Sequence, residues 1–485
     1  MSIKRYTASQ DTTITNALDS TLSTRGTGSN MGESDITEVF SIYSQVSSST
    51  DGNSIEKSRV LYRFPIDEIL QDRTNEDLPT SGNVNFQLRI FNAIHSQTLP
   101  KKFKLIVAAV SQSWDEGYGM DMESYTDIGT ANWISCSATE GWDTEGGTFL
   151  TASQYLGEVY TQEFEDGTED LDIDITSLVE KWISNEHNNY GLAVYLTSSQ
   201  EDGTEERSYY TKKFFARGSE FFNKKPVIEA RWNSQLNDDS TNFYLSSSLV
   251  PAEDNLNTLF FYNKPRGQYQ NIPSVGKNNL LLSLHSSLGS GKISLPIGGG
   301  VVTNNDLNIT GSWVSEGIYS ASFAYTGSST TIYPVWHSGS VEYFSGSAIT
   351  VNSFNASQDN SQATYITKVK NSKSSHSRTE TVRVRLFTRR KDWSPTIYTR
   401  AVTTVESEPI EKVFYSVYRV VDELEIIGYG TGSTNHTLMS YDSKGNYFDL
   451  DMSLFESGYL YETKFLFNID GIYKEQPETF KFRVE

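Results

Sequence analysis

Three acids recur at alternate positions, Asp170, Asp172 and Asp174, the spacing with which an EF-hand calcium loop opens. Ile175 stands where that loop needs its glycine, and Lys181 stands where it needs its bidentate glutamate. An EF-hand is therefore excluded. The calcium chemistry left open is a structural site of the β-sandwich type, drawing on Asp11, Asp115, Asp172 and Asp174, with Glu116 beside Asp115. The same acids also make an ordinary solvated edge, whose charge discourages strand-to-strand aggregation. The six histidines are widely spaced and none falls in an HExxH pattern. The single cysteine, Cys136, has no local motif partner, and there is no GxSxG elbow or Walker loop. Gly428, Gly430 and Gly432 follow a strand but lack the βαβ unit that a phosphate loop needs, and they are expected to be a turn.

Carbohydrate is the other chemistry these residue types suggest. Trp133 and Trp142 lie in an acidic, glycine-bearing stretch, where exposed indoles would stack on sugar rings. The alternative is that both pack the loops beneath them. Cleaving a glycan would take two carboxylates about 5 to 10 Å apart across a groove, which spacing along a chain does not reveal. Charge is distributed unevenly. No Lys or Arg occurs from Trp114 to Glu180. From Lys368 to Arg400 basic residues dominate, with Lys368, Lys370, Arg383, Arg385, Arg389, Arg390 and Lys391 among them and only Glu380 and Asp392 opposed. That stretch is expected to be either a solvated face or an electrostatic docking face.

The elements that must position these groups read as strands. The 485 residues include 28 Tyr and 25 Phe, and aromatic and β-branched residues favour pleated structure. Long Ala/Leu/Glu/Lys runs are missing. One cysteine permits no internal disulfide, consistent with a reducing compartment. The start, Met1 to Tyr6, runs directly into polar residues, so no signal peptide is expected. No apolar run approaches the ~18 residues of a membrane span. A net charge of −21 argues against a nucleic-acid binder.

Three segments follow. Residues 1–233 contain strands at Arg59–Phe64, Val84–Ile90, Phe103–Val110, Tyr190–Thr197 and Pro226–Trp232. Leu171, Ile173 and Ile175 alternate with the three aspartates, as a half-buried strand does. One short helix is expected next, with Ser177 and Glu180 as its capping box and Leu178, Val179, Trp182 and Ile183 facing a core. Ser234–Ser240 is polar and is expected to be a linker. Residues 241–352 are rich in Gly, Ser, Asn and Thr and are read as a small β-sandwich, with strands near Leu280–Leu282 and Ile293–Leu295 and turns at Gly298–Gly300 and Gly327–Ser329. A second polar linker spans Ser353–Gln362. Residues 363–485 carry strands at Val382–Phe387, Phe414–Val421, Leu424–Ile427, Tyr459–Phe467 and Phe480–Val484, spaced as in an immunoglobulin-like or fibronectin-like sandwich. The fold class is all-β, in tandem sandwiches.

The first segment resembles the disaggregatase-related (DNRLRE-type) family, a jelly roll similar to carbohydrate-binding modules. The residues that carry the likeness are Asp11–Ile14, Asn30–Gly32, Arg59–Phe64, Ser113–Gly117, Asp172–Thr176 with Trp182, Asn189–Leu192, and Phe215–Arg217 with Lys225–Ile228. Members of that family sit in secreted or cell-surface proteins that handle polysaccharide. Over its full length, including Leu438–Asp442 and Asn446–Asp451, the chain resembles virion proteins of marine contractile-tailed phages. That resemblance implies a non-enzymatic component of the neck, tail, fibre attachment or head surface, assembled in the host cytoplasm. Its partners would be other virion proteins, with no nucleic acid, no membrane and no cofactor beyond the calcium considered above. The alternative is an adhesin that recognises a host-surface glycan through the first segment.

Overall fold

In the computed structural model the described residues are all except 1, 50–51, 122–128, 151–157, 248, 252–253, 289–296, 301, 304–307, 354–363, 372 and 393–406. Ile293–Leu295, nearly all of the second polar linker and Arg400 lie outside them. The chain is all-β, with cores gathered in series along it.

The first unit is a sandwich of two antiparallel sheets. One has the order Ile3–Thr7, Val227–Arg231, Asn85–Ile90, Leu171–Asp174. The other runs Tyr209–Phe215, Ile36–Ser48, Gly52–Arg63, Leu192–Leu196, Phe103–Ala109, Val159–Phe164, with Gln10–Thr15 also paired to Gly52–Arg63. Period two decides what each sheet buries. Phe86, Leu88 and Ile90 point inward from one sheet and meet Val60, Leu105, Val107 and Val194 from the other, all fully buried. Leu171 and Ile173 are buried and Asp172 and Asp174 exposed, as the alternation requires.

The expected helix forms at Thr176–Ile183, and Leu178, Val179, Trp182 and Ile183 are its buried face. Its start differs from the expected capping box. Asp174 Oδ1 accepts hydrogen bonds from the Thr176 amide and hydroxyl, at 2.9 and 2.6 Å. Ser177, two residues past the N-cap Ile175, donates instead to Glu158. Glu180 faces outward and pairs bidentately with Arg73, at 2.6 and 2.7 Å. Arg73 lies on a second helix, Ile66–Thr74, which follows Pro65 and carries Asp67 and Glu68 in its first turn and Arg73 in its last, charges that complement the helix dipole.

Among the described residues, nine strands of the second unit form one hydrogen-bonded set. Its main order is Asn257–Tyr262, Ile318–Tyr325, Asn308–Ser315, Leu280–His285, Thr331–Ser338, Val341–Ser345. Phe261, from the first strand of that order, packs 6.1 Å from Trp336 and 5.4 Å from Phe344, on the last two. The sheet therefore curls until its ends meet, and its halves face each other like the layers of a sandwich. Gly298 and Gly300, expected in a turn, belong to the strand Ile297–Gly300, which bulges between them.

In the third unit one sheet has the order Tyr365–Val369, Thr381–Arg390, Gly445–Asp451, Ser440–Asp442. The facing sheet runs Ser375–His376, Phe480–Val484, Leu460–Ile469, Val413–Arg419, Leu424–Ile427. Tyr415 from one sheet stacks on Phe448 from the other at 4.0 Å, at the centre of a core that includes Leu386, Val417, Phe465 and Phe467.

The three units brace one another. Ile3 belongs to the core of the third unit, and Ser2 and Arg5 donate to the carbonyls of His436 and Ile426. Ser234–Ser240 is not a free linker. Leu236 and Asp238 run beside Tyr441, Asn237 forms a parallel bridge to it, and Gln235 donates to the carbonyls of Glu411 and Met439. Asp239 then ties the second unit to the third: one carboxylate oxygen accepts from Tyr441 Oη at 2.7 Å and the other from the Thr258 amide at 2.7 Å. An exposed ion pair, Lys277 with Glu76, joins the second unit to the first.

Candidate functional site between the second and third units

The structure does not bring the four candidate calcium ligands together as one metal-holding group. Asp11 lies on the larger sheet of the first unit, buried, with Oδ2 accepting from the Arg217 amide at 2.6 Å. Burial raises its pKa to about 7; the Arg217 bond opposes this and Glu116 adds to it. Asp115 is exposed in a loop. Asp172 and Asp174 lie on the other sheet, occupied with Arg89 at 3.7 Å and with the helix start described above. Among the described residues no group of three or more His, Cys, Asp or Glu is placed to hold a metal ion.

Trp133 and Trp142 are not sugar platforms. Only 4% of Trp133 and 7% of Trp142 is exposed, and both belong to a small core beneath the loops of the first unit. The Arg59 guanidinium covers Trp133 at 5.2 Å and is held by Glu201. The Trp142 indole N–H donates to the Asn132 carbonyl at 2.8 Å. Burying these indoles is what gives a long, strand-poor loop region a core of its own.

The basic stretch also differs from its charge count. On Thr381–Arg390 the even residues Leu386 and Thr388 face the core, so Arg383 and Arg385 face outward. Neighbouring strands supply acids that a linear count assigns elsewhere. Arg383 makes a bidentate pair with Asp449 at 2.7 and 2.8 Å, and Arg385 another with Asp442 at 2.8 and 2.7 Å. Both guanidiniums lie against Tyr447, at 4.5 and 4.9 Å from its ring centre. Arg390 pairs with Glu408 at 3.0 Å. Arg389 is half-buried, while Lys368, Lys370 and Lys391 are exposed, Lys370 lying over the Phe387 ring.

Arg383, Arg385, Asp442 and Tyr447 form one wall of a groove of about 650 Å³ between the second and third units. Phe260, Tyr262, Tyr269 and Phe344 form the other, with Asp238 between the two walls. The second unit supplies these aromatics because Asn257–Tyr262 carries them on both faces. Leu259 and Phe261 enter the core, and Phe260 and Tyr262 stack outside it at 5.9 Å. The buried Tyr262 hydroxyl has no hydrogen-bond partner. Burial raises its pKa, and so do the nearby Tyr447, Asp238 and Asp442. Asp238 is raised to about 7, first by burial, against hydrogen bonds from Ser240 and with help from Asp442 and Asp239. The groove thus offers flat apolar faces, two Arg–Asp pairs, the lysines Lys264 and Lys444, and a carboxyl whose pKa burial raises toward neutrality. The sequence signal for it was aromatics at consecutive positions of one strand, Phe260 to Tyr262, and the alternation in Asn446–Asp451.

No protein family and no curated protein matches the chain. Among solved structures the chain is similar to the adhesin InvE of Yersinia pseudotuberculosis, with 8% identity, 50% of this chain and 56% of that one covered, and a TM-score of 0.15. The native alpha-2-macroglobulin of E. coli matches at 8% identity over 88% of this chain and 21% of its own, with a TM-score of 0.15. The methylamine-reacted Salmonella alpha-2-macroglobulin matches at 8% identity, 89% and 23% coverage, and a TM-score of 0.14. This chain therefore spans about half the length of the adhesin chain and about a fifth of the macroglobulins. At such scores the likeness carries no argument about function.

Proposed function

We propose that this protein is a structural component of a bacteriophage particle, in the neck, tail, fibre attachment or head surface, and that it acts by assembly with other proteins rather than by catalysis. The observation that supports this reading is the mutual bracing of the three units. The N-terminal strand enters the core of the third unit, the 234–240 segment is hydrogen-bonded along it, and Asp239 ties the second unit to the third. A block braced in this way loses little conformational freedom when it docks, which lowers the entropic cost of joining an assembly. The full-length resemblance to phage virion proteins points the same way. Quantitative mass spectrometry of purified particles tests it, with copy number scaled to the major capsid protein. A fixed multiple of three, five, six or twelve is expected, numbers set by the symmetry axes of such particles. Absence from particles, with the protein free in the lysate, would overturn it.

A further inference from the structure

We propose that the groove between the second and third units takes up a short extended peptide of a partner protein, alternating apolar and acidic residues, as an added strand on the open edge of Asn257–Tyr262. The inference goes beyond the assembly reading and holds whether or not the chain belongs to a particle.

The open edge is the first observation. Asn257–Tyr262 stands at one end of the strand order of its unit, and its ladder partner among the described residues is Ile318–Tyr325. On its other side the Thr258 amide donates to Asp239 Oδ2 at 2.7 Å, and the Thr258 carbonyl accepts from the Asp239 amide at 2.9 Å. Main-chain groups of alternate residues leave a strand on the same side. Those of Phe260 and Tyr262 therefore share the side of Thr258, and no strand lies along them among the described residues. The odd-numbered residues face the ladder, as the bond from the Asn263 amide to the Gly317 carbonyl at 2.7 Å confirms. Consecutive residues from Leu259 to Tyr262 all line the groove. Residues of both faces line one cavity only where it runs along the strand edge. Such an edge is a template for an incoming strand.

The two sides of the groove define the peptide. An added strand sends alternate side chains to opposite faces. On the inner face they meet Phe261, which packs on Trp336 and Phe344 where the curled sheet closes. On the outer face they meet the third unit, with Arg383, Arg385 and Lys444, and Lys264 lying over the Tyr269 ring at 4.6 Å. The two arginines are held by Asp449 and Asp442. Lys264 and Lys444 are exposed and in no ion pair among the described residues, and Lys370 reaches the Lys444 carbonyl at 3.5 Å. Against these three ammoniums the lining sets Asp238, whose carboxyl burial pushes toward the neutral form. The local balance is positive in a chain of net charge −21. Apolar side chains inward and carboxylates outward complement both faces. Aromatic rings alone would also suit a sugar, but a sugar has no row of amides and carbonyls to match the strand edge.

The test titrates the full chain by calorimetry with blocked hexapeptides alternating Glu with Val, Ile or Phe. Controls are the same residues grouped instead of alternated, Lys in place of Glu, and an oligouronate. Saturable binding of at least one alternating peptide is expected, weakening as salt rises, with no binding of the controls. N-methylating every second amide of the bound peptide should abolish binding in one register and leave it in place in the other, because only one set of amides faces the edge. Lys264→Gln with Lys444→Gln should weaken binding about 3- to 30-fold, the worth of two exposed ion pairs, at an unchanged melting temperature since both side chains are exposed. Any of four outcomes would overturn the proposal: no alternating peptide bound, the oligouronate bound as tightly, equal effects of methylation in the two registers, or binding that the double variant leaves unaltered.

Discussion

Replacing Glu229 with Gln isolates what holds the first unit to the third. Glu229 lies on Val227–Arg231, facing away from Ile228 and Ala230, which enter the core of the first unit. A residue on that outer face should be wet, yet Glu229 is 2% exposed. The third unit covers it: Arg5, its cross-strand neighbour, also donates to the Ile426 carbonyl, and Ile3 on the same face of that strand enters the third core. Under this cover Glu229 holds Arg5 at 2.6 Å, Arg231 at 2.7 Å and Arg89 at 3.3 Å. Burial alone would raise the Glu229 pKa, but the three guanidiniums outweigh it and hold the carboxyl well below the usual range. Removing the charge leaves three cations facing one another in a dry interface. Breaking a buried pair in this way costs about 3–5 kcal/mol, or roughly 6–20 °C in the melting temperature of a unit this size. The sign with pH follows from the depressed pKa. The stabilisation is fully present above the unfolded value of about 4.3 and is lost only as pH falls through the lower folded value. Scanning calorimetry at neutral pH should therefore show Glu229→Gln melting earlier, with the first and third units separating into two transitions. At strongly acid pH the variant and the parent should converge. A loss below about 1 kcal/mol at neutral pH, the size of a surface ion pair, would refute the buried-network argument.

Other perturbations follow from the same structure. Trp142→Ala should cost about 3–5 kcal/mol by urea denaturation, the price of emptying an indole site in a core. Asp238→Asn should stabilise the protein above neutral pH. The raised pKa of Asp238 means its contribution is present below the unfolded value of about 3.9 and lost as pH rises toward about 7, so the variant should flatten the decline of melting temperature between those limits. Gly191→Ala should destabilise by more than 1–2 kcal/mol, the usual penalty for a left-handed L-residue (about that size). Gly191 has φ +90°, and a Cβ there would lie 2.1 Å from the Tyr62 carbonyl oxygen. Unchanged stability would mean that the backbone at that turn relaxes freely.

Much of the scaffold was legible from local pattern. The strands at Leu424–Ile427 and Phe480–Val484 fall where composition and alternation put them, and Phe86, Leu88 and Ile90 are buried as their period-two spacing requires. The helix Thr176–Ile183 was readable from its apolar face, although its start was misplaced: the N-cap is Ile175, which offers no side-chain cap, and Ser177 lies inside the first turn. The helix Ile66–Thr74 was missed despite its charge signals, because only Ile66 and Ile69 of it are buried and the apolar periodicity is faint.

The one-dimensional chain therefore determined the all-β class and the place and inward face of several strands, since those depend on side chains a few residues apart, whereas Ile36–Ser48 and the strands from Asn308 to Ser345 were not read from it. Which charges are free and which aromatics are exposed was decided by tertiary structure. Asp449 and Asp442 neutralise arginines 66 and 57 residues away along the chain, the Arg59 guanidinium reaches Trp133 from the strand Gly52–Arg63, and the groove exists only where two units meet. Pairings at that separation depend on strand order and on how the units dock, and local periodicity carries no record of either.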